Sequence, residues 1–558
     1  MGNKTKRSAL LVAAILLLSL VAAGCTSKGN DAGGNSPSPL KDKGSTPDAA
    51  KKQEEKGKLK MFMTDSGIPT PDGIKLSDNP FINIVKDYAN VDLEIEKPSY
   101  QEYKTKFDLL LASGQLPDIV HTMYAADAIK RADEGAFLDL KKYYDQSPLV
   151  QKIITPEMME LAKSPSGHYY RIPMAANQSP QGKGLLVRFD LVKKYNNGKW
   201  PESVEEWADL MRKIKKAEPD SVVLTNRVNG QRVLSYGGIV FYTMYGAEPY
   251  SVRVQDGKVY STFQLPEYRE ATELMRQLYE EGVLDKEFAV NDLAKWQDKY
   301  VNKNVLMSTD DANQVLPFAR NLKQGKTNPN TVTQEIAFAP PLKKYPSVLK
   351  DPKYTYSQLS LPINSHGLYI SSKTKDRDRA WKVIEGFATE QLREAIFWGK
   401  EGETYTAKDG KRSPIVEKLN DPSRSWSLQL ALIPGYTAGR EVGDATVEQV
   451  LGADYTKTIL DSMKAVADQA AKAGLGFWNF EQFPKDVADQ VDKKGPEAND
   501  FISKATVEAI MGKITMRQFD DRVKEFTEKY GFIFDEHTKY ITAHKDELRK
   551  KGVMEVEW

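Results

Sequence analysis

Residues 91–120, VDLEIEKPSYQEYKTKFDLLLASGQLPDIV, predict two strands with a helix between them. Apolar and polar residues alternate over Val91–Ile95, and Tyr103, Phe107 and Leu110 share one face of a helix that Gly114 ends. The run 117–120 begins the next strand. A further strand at 59–63 and a helix at 81–88 precede this unit, so the order is strand, helix, strand, helix, strand. That order is typical of an α/β fold with a parallel sheet, in which ligands lie beyond the carboxyl ends of the strands.

A second α/β unit follows the first. Leu185–Val187 predicts a short strand, and Ser203 with Glu206 forms a capping box that begins a helix. The helical spacing predicts that Trp207 and, further along, Trp381 lie in the core. A strand from Val305 ends near Asp310, and residues 367–370 predict another. With 558 residues, the chain is long enough for two or more domains.

The first 25 residues have the pattern of an export signal. Lys4, Lys6 and Arg7 precede an apolar run, Ala9–Ala23, that is shorter than a stable membrane span. Residues 21–25, VAAGC, resemble the lipobox of bacterial lipoproteins, with Ala22 where Leu is commoner. The resemblance implies that residues 1–24 are a cleaved signal peptide and that Cys25 carries diacylglycerol and a further acyl chain such as palmitate. The alternative is an incidental cysteine beside an ordinary cleavage site.

The segment after Cys25 predicts a flexible tether. Residues 26–58 contain one large aliphatic side chain, Leu40, and no aromatic one. Such a composition buries too little apolar surface to offset the entropy of ordering. We therefore expect residues 25–58 to be a lipidated tether with a reach of about 30 Å.

Charge and motif content exclude several functions. Residues 1–24 hold three basic and no acidic residues, which leaves 76 Lys and Arg against 77 Asp and Glu. This near-neutral balance argues against a nucleic-acid partner. The single cysteine excludes an intramolecular disulfide and a cysteine zinc site, and the five histidines lack metalloprotease spacing. The sequence also lacks phosphate-binding loops and a serine-hydrolase elbow, although a glycosidase carboxylate pair stays open.

Four stretches give the chain a family resemblance. They are residues 107–119, residues 186–195 with 200–207, residues 278–288, and residues 398–405. Together they resemble the extracellular solute-binding proteins of ABC importers, and in particular the large lipoproteins that serve sugar permeases in Gram-positive bacteria. The resemblance implies two lobes of the periplasmic-binding-protein type, each a mostly parallel sheet flanked by helices, with a hinge and a ligand cleft between them. We expect residues 59–176 with 308–372 to form one lobe and residues 177–307 with 373–558 the other.

One segment departs from that family pattern. Relatives often carry an Asp- and Asn-rich loop resembling a calcium site after the helix that here ends near Ala217. This chain reads AEPDSVV over 217–223 instead, which lacks alternating oxygen ligands. We therefore expect no bound calcium, no other metal and no cofactor.

Strand ends, aromatic residues and carboxylates supply the candidate ligand contacts. Asp65, Tyr124 and Asp310 follow predicted strands, and for Asp310 a helix N-cap is the open alternative. Sugar rings pair apolar faces with polar edges, which suits aromatic rings and carboxylates. The further candidates are Tyr245, Trp398, Glu401, Trp426 and Trp478. For Tyr245 a core position, and for Trp398 a packed helix end, stay open.

These observations favour a non-catalytic receptor that captures an oligosaccharide and delivers it to an ABC permease. We expect a monomer, anchored by lipid to the outer face of the membrane of a Gram-positive type bacterium. A peptide receptor is the alternative among binding proteins. A surface enzyme that degrades polysaccharide, and an adhesin or chaperone, are the rival classes.

Overall fold

The computed structural model describes residues 55–64, 73, 75–76, 79–164, 166–175, 182–230, 232–311, 315–325, 328–355, 362–419, 421, 424, 446–473, 476, 483–550 and 553. The predictions for residues 1–54, Cys25 among them, and for Asp65, Trp426 and Trp478 lie outside these residues. Within the described part, none of the helices has the length and apolar character needed to cross a membrane.

The strands are β1 (Gly57–Phe62), β2 (Val91–Glu96), β3 (Ile119–Thr122), β4 (Ile172–Ala175), β5 (Lys183–Arg188), β6 (Val252–Gln255), β7 (Lys258–Ser261), β8 (Met307–Asp311), β9 (Ile336–Phe338), β10 (Ile363–Ile370), β11 (Tyr405–Lys408) and β12 (Lys411–Pro414). The helices are α1 (Pro80–Ala89), α2 (Tyr100–Ser113), α3 (Ala125–Asp133), α4 (Lys141–Asp145), α5 (Pro148–Gln151), α6 (Pro156–Leu161), α7 (Phe189–Asn196), α8 (Val204–Ala217), α9 (Val240–Met244), α10 (Pro266–Glu280), α11 (Leu293–Asn302), α12 (Val315–Lys323), α13 (Arg377–Phe387), α14 (Glu390–Phe397), α15 (Val416–Leu419), α16 (Ala453–Ala473), α17 (Lys485–Ile510) and α18 (Met516–Lys550).

The first lobe is built on a five-stranded sheet with the order β2-β1-β3-β10-β4. Its strands β1, β2 and β3 are parallel, as the local sequence predicts, and β1 begins at Gly57, inside the predicted tether. Asn79 caps α1 by accepting a hydrogen bond from the Phe81 N–H, and Gly114 ends α2 in a left-handed conformation. Both faces of the sheet are covered by helices. Met61 and Ile370 pack on one face, and Phe62 and Tyr369 on the other.

The second lobe is built on the sheet β8-β5-β9. Val187 and Met307 face a large core that also contains Trp207 and parts of α10, α17 and α18. Leu186 and Phe338 face a smaller core closed by α12 and α16. Trp207 and, in the first lobe, Trp381 are buried, which confirms the prediction made from helical spacing.

The expectation of mostly parallel sheets is wrong in part. In the first sheet β10 runs antiparallel to β3 and β4, and in the second sheet β5 runs antiparallel to β8 and β9. The two lobes are α/β, as predicted. The direction of β10 follows from its origin, because the chain enters the first sheet from the second lobe rather than through a helical crossover within the sheet.

Two segments lie in the lobe opposite to the one predicted. Residues 307–311 and 336–338 pair with β5 in the second sheet, although residues 308–372 were expected in the first lobe. Helices α13 and α14, expected in the second lobe, pack with α1 in the first core. There Gly386 lets α13 approach closely, since a Cβ at this position would lie 3.0 Å from the Val85 side chain.

Candidate functional site

The chain connections determine which edges of the two sheets face each other. Strand β4 ends at Ala175, and β5 resumes by Lys183 after a short connection that spans at most about 29 Å. Ala175 pairs with Ile363 and Thr122 with Gly367, so the end of β4, the start of β10 and the end of β3 lie at one edge of the first sheet. We call this the first edge. It also holds the carboxyl ends of β1 and β2 because they run parallel to β3.

The second edge is the matching end of the second sheet. It consists of Lys183 and Gly184 at the start of β5 and Asp310 and Asp311 at the end of β8. The register pairs Lys183 with Asp311 and Gly184 with Asp310. The first and second edges therefore flank the crossing between the lobes.

Tyr124 lies at the first edge, directly after β3. Its ring stacks at 6.1 Å from Tyr103 and 6.3 Å from Phe107, measured between ring centroids. The ammonium of Lys104 lies 5.2 Å from the Tyr124 ring centroid and forms ion pairs with Asp108 and Asp127. The ring is half-buried, so it presents a partly exposed apolar surface supported by two aromatic neighbours.

Two histidines, His121 and His366, also lie at the first edge. His366 Nδ1 and His121 Nε2 are 3.3 Å apart. Burial lowers the pKa of His366 to about 4, with the charge of Arg171 adding to the effect, and burial together with His366 lowers the pKa of His121. Both imidazoles are therefore neutral near pH 7. Arg171 donates hydrogen bonds to the Asn364 and Ser365 carbonyls.

Asp310 is the most perturbed carboxyl group of the second edge. Burial raises its pKa to about 6. The Asp311 N–H donates to it at 2.8 Å and partly offsets the rise. The charge of Asp311 raises the pKa further, whereas the charges of Lys183 and Arg227 lower it. Lys183 Nζ is 3.9 Å from Glu248, and the charge of Glu248 is the main reason that the pKa of Lys183 is raised.

Tyr236 faces this group from a strained backbone conformation. Its φ is +40°, which is rare for a residue other than glycine. The Thr309 hydroxyl on β8 donates to the Tyr236 carbonyl at 2.9 Å. The ring lies between the Arg227 guanidinium, 4.6 Å from its centroid, and Trp296, whose ring centroid is 5.7 Å away.

Close packing behind Tyr236 fixes its position. A Cβ on Gly237 would lie 2.0 Å from the Thr225 carbonyl oxygen, so only glycine allows this approach. Asn226 accepts from the Ser235 N–H and donates to the Val233 and Phe288 carbonyls. The loop that carries Tyr236 is therefore attached to the core through one amide side chain.

A buried polar cluster around Asp285 holds Thr225, whose carbonyl packs against Gly237 in the loop that carries Tyr236. The Asp285 carboxylate accepts from Thr225 at 2.7 Å, from Asn291 at 2.8 Å and from Lys299 at 2.7 Å. Burial alone would raise the pKa of Asp285, but these donors, Lys299 first, lower it. Asp285 is thus stabilised as an anion, in contrast to Asp310.

Among the other predicted contacts, Tyr245 does not lie in the site. It is 7% exposed and packs in the second-lobe core, where burial raises its pKa to about 12. The prediction that it lines the cleft failed because Tyr245 follows α9 directly, whose residues are all buried. The same local pattern fits a core and a cleft wall.

Trp398 and Glu401 lie on the side of the first edge but differ in exposure. Arg424 joins the end of α14 to the start of α1, since it donates to the Ala395 carbonyl and its guanidinium lies 5.4 Å from the Phe81 ring centroid. Trp398 is 3% exposed, beneath Tyr405 and the Arg412 guanidinium, so its ring presents no face to a ligand. Glu401 is exposed in the following turn.

Glu218 lies where relatives often carry the calcium-type loop, and its carboxylate forms an ion pair with Lys194. Glu218 accepts hydrogen bonds from Lys194 at 2.7 Å, from the Tyr195 hydroxyl and from Asn304 at 2.5 Å. Across the described residues, groups of three or more His, Cys, Asp or Glu that could hold a metal ion do not occur.

Comparison with known proteins identifies the family. The family model of bacterial extracellular solute-binding proteins matches residues 76–392, which is more than half of the chain. The chain belongs to this family. The match includes both edges, from Tyr124 at the first to Asp310 at the second.

Relatives of this solute-binding protein are distant in sequence but similar in fold. Lipoprotein LipO of Bacillus subtilis is 21% identical over 81% of this chain and 86% of its own length. The fructooligosaccharide ABC transporter substrate-binding protein FusA of Streptococcus pneumoniae is 25% identical over 47% of this chain and 53% of its own. An HMO-binding, ABC-transporter-associated solute-binding protein from Bifidobacterium longum infantis superposes with a TM-score of 0.66 at 15% identity, covering 87% of this chain and 98% of its own.

The sequence interpretation of this solute-binding protein missed Lys183, Arg227, Tyr236 and Glu248. The signal that could have identified Tyr236 is the pair Gly237-Gly238 directly after it. Lys183, Arg227 and Glu248 carry no local signal. Only the register of β5 with β8 and the fold of the loops bring Lys183 and Arg227 to Asp310 and Glu248 to Lys183.

The contrast between Asp310 and Asp285 predicts opposite effects of the same substitution. The raised pKa of Asp310 makes its charge unfavourable in the folded state, a cost that is small below about pH 4 and complete above about pH 6. Asp310→Asn should therefore raise the free energy of unfolding at pH 7.5 by up to about 3 kcal/mol, and hardly at all at pH 4.

The matched substitution Asp285→Asn should lower the free energy of unfolding at pH 7.5 by about 2 kcal/mol, because it weakens charged hydrogen bonds. This loss should shrink as the pH falls below the ordinary aspartate range. Urea denaturation of both variants at the two pH values measures these differences. Destabilisation by Asp310→Asn at pH 7.5 would contradict the electrostatic assignment.

Proposed function

We propose that this protein is a lipid-anchored receptor that captures an oligosaccharide between the first and second edges and delivers it to an ABC permease. The observation that carries the proposal is the convergence of carboxylates and aromatic rings on the two edges that flank the interlobe crossing. The family assignment and the sugar ligands named for FusA and the Bifidobacterium protein support it.

The groups at the edges suit the two kinds of surface on a sugar ring. Asp310, Asp311 and Glu248 supply carboxylate oxygens that accept hydrogen bonds from hydroxyl groups. Tyr124 and Tyr236 supply half-buried rings for apolar C–H faces. Both rings are held by aromatic neighbours, so little side-chain entropy is lost when a ligand binds.

Binding and delivery require two states of the hinge. A ligand that contacts both edges stabilises the closed state, because the open state offers only one set of contacts. A shift from 1:99 to 99:1 in favour of closure needs about 5.5 kcal/mol of differential affinity. Lipid on Cys25 and a tether of about 30 Å would keep the receptor near its permease.

One observation favours a second candidate function. A carboxyl group with a pKa near 6, beside other carboxylates, is also the property of a general acid in a glycosidase. The family membership argues against catalysis. Incubation with glycans followed by product analysis distinguishes the two functions, because release of shorter fragments would show that the protein is a surface enzyme and not a receptor.

The receptor proposal predicts that oligosaccharides stabilise the mature protein. In a thermal-shift screen, a saccharide at 100 times its Kd should add about 2.7 kcal/mol of stability. Asp310→Asn should lower the affinity for that saccharide by about 10- to 100-fold, because a charged hydrogen bond is lost. Asp209→Asn, on the exposed side of α8, is the matched control and should leave the affinity unchanged. Stabilisation by peptides but by no saccharide would point to a peptide receptor instead.

The anchor proposal predicts a change of location without a change of affinity. Cys25→Ser removes the thiol that would be acylated, so the protein should appear in the culture medium while its Kd for the same ligand stays the same. Fractionation of cells and medium, with titration of the released protein, measures both. Retention of Cys25→Ser at the membrane would contradict lipid anchoring.

A further inference from the structure

The charges at the second edge bear on the kind of sugar that it receives. Asp310, Asp311 and Lys183 belong to the second edge, and two further charged residues adjoin it. Glu248 lies 3.9 Å from Lys183, and the charge of Arg227 acts on Asp310. Ligand selection by charge depends on whether either cation is available to an anionic ligand. The inference below rests on the proposed oligosaccharide function.

Lys183 is compensated by the protein itself. Its ammonium is 3.9 Å from Glu248, and the charges of Glu248, Asp311 and Asp310 all act on it. A ligand carboxylate would have to compete with these three groups for one lysine. At a separation of about 4 Å, repulsion by these carboxylates would lower the affinity for an anionic ligand by several-fold to several-hundred-fold.

Arg227 is engaged with an aromatic ring. Its guanidinium lies 4.6 Å from the centroid of Tyr236, whose other neighbour is Trp296. The charge of Arg227 also acts on Asp310 and lowers the pKa of that carboxyl group. The second edge therefore has an excess of hydrogen-bond acceptors and carries net negative charge.

The first edge adds no strong anion site within the described residues. Lys104 forms ion pairs with Asp108 and Asp127, and Arg171 donates to two backbone carbonyls. His121 and His366 are neutral near pH 7 because burial lowers their pKa values. Lys97, after β2, has an interaction of its own as well.

We propose that the sugar ring seated at the second edge is uncharged and donates hydroxyl hydrogens to Asp310, Asp311 and Glu248, so that the protein selects neutral oligosaccharides over uronic-acid oligosaccharides of equal length. Glu248 is the specificity-determining residue, since it neutralises the lysine that would otherwise attract a uronate. Asp310 accepts from the ligand directly.

The test compares two ligand classes on one protein. The mature protein is titrated calorimetrically with neutral xylo-, malto- and fructo-oligosaccharides and with oligogalacturonates and alginate oligomers of the same length. The expected result is a neutral ligand bound at least about 30-fold more tightly than any uronate. Its Kd should also change little between low and high salt, because no net charge is paired.

Glu248→Gln tests the assigned residue. It leaves Lys183 without its nearest carboxylate, so the ratio of neutral to uronate affinity should fall by about 10-fold. Glu202→Gln is the matched control, since it makes the same change beside an exposed lysine, Lys343, and should leave the ratio unchanged. Melting curves of both variants verify that they fold.

Each outcome decides a different claim. Uronates that bind as tightly as neutral sugars would overturn charge selection while leaving the oligosaccharide receptor intact. An unchanged ratio in Glu248→Gln would overturn the role of Glu248 and the second edge. If neither class of saccharide binds, the receptor proposal fails, and the inference fails with it.

Discussion

The antiparallel pairing of Ile363–Ile370 with its two neighbours in the first sheet is the constraint on which the site depends. Strand β10 enters that sheet from the second lobe, and β4 leaves it toward the second lobe. Because the two strands run in opposite directions, the connection out of β4 and the connection into β10 lie at one edge, where the parallel strands β1, β2 and β3 also end. The pairing of β5 with β8 repeats the arrangement in the second lobe and brings Asp310 beside Gly184. Backbone hydrogen bonds thus determine where a ligand can contact both lobes at once.

Local sequence pattern predicted the elements of the fold but not their pairing. The strand at Val91–Ile95 and the end of the helix at Gly114 follow from periodicity and from backbone conformation, so the structure confirms them. The antiparallel strands and the lobe to which α13 belongs depend on contacts between distant residues, which no local pattern encodes. The site was predicted less completely for the same reason. Trp398 is covered by Arg412 and Tyr405, and Tyr236 is positioned by the Thr225 carbonyl behind Gly237.

The second edge combines features that are costly for folding with a rigid support. Tyr236 has an unfavourable backbone conformation, and burial opposes the charge of Asp310. Directly behind them, Asn226 and Asp285 have well-satisfied hydrogen bonds, and Lys299 compensates the buried carboxylate. Strain and an unfavourable charge are typical of sites shaped for a ligand, because the ligand supplies the missing partners. This combination of strain and rigid support is therefore expected for a ligand-binding surface and not for a surface selected for stability alone.

The central claim is that a ligand contacts the first and second edges together. Hydrogen–deuterium exchange with and without a saccharide identified by thermal shift measures this directly, since peptides that contain β3 and Tyr124 report on the first edge and peptides that contain β8 and Asp310 report on the second. Both sets of peptides should be protected when the saccharide binds, with helix α18 unchanged as the internal control. Protection at one edge only, or protection confined to α17 and α18, would contradict it.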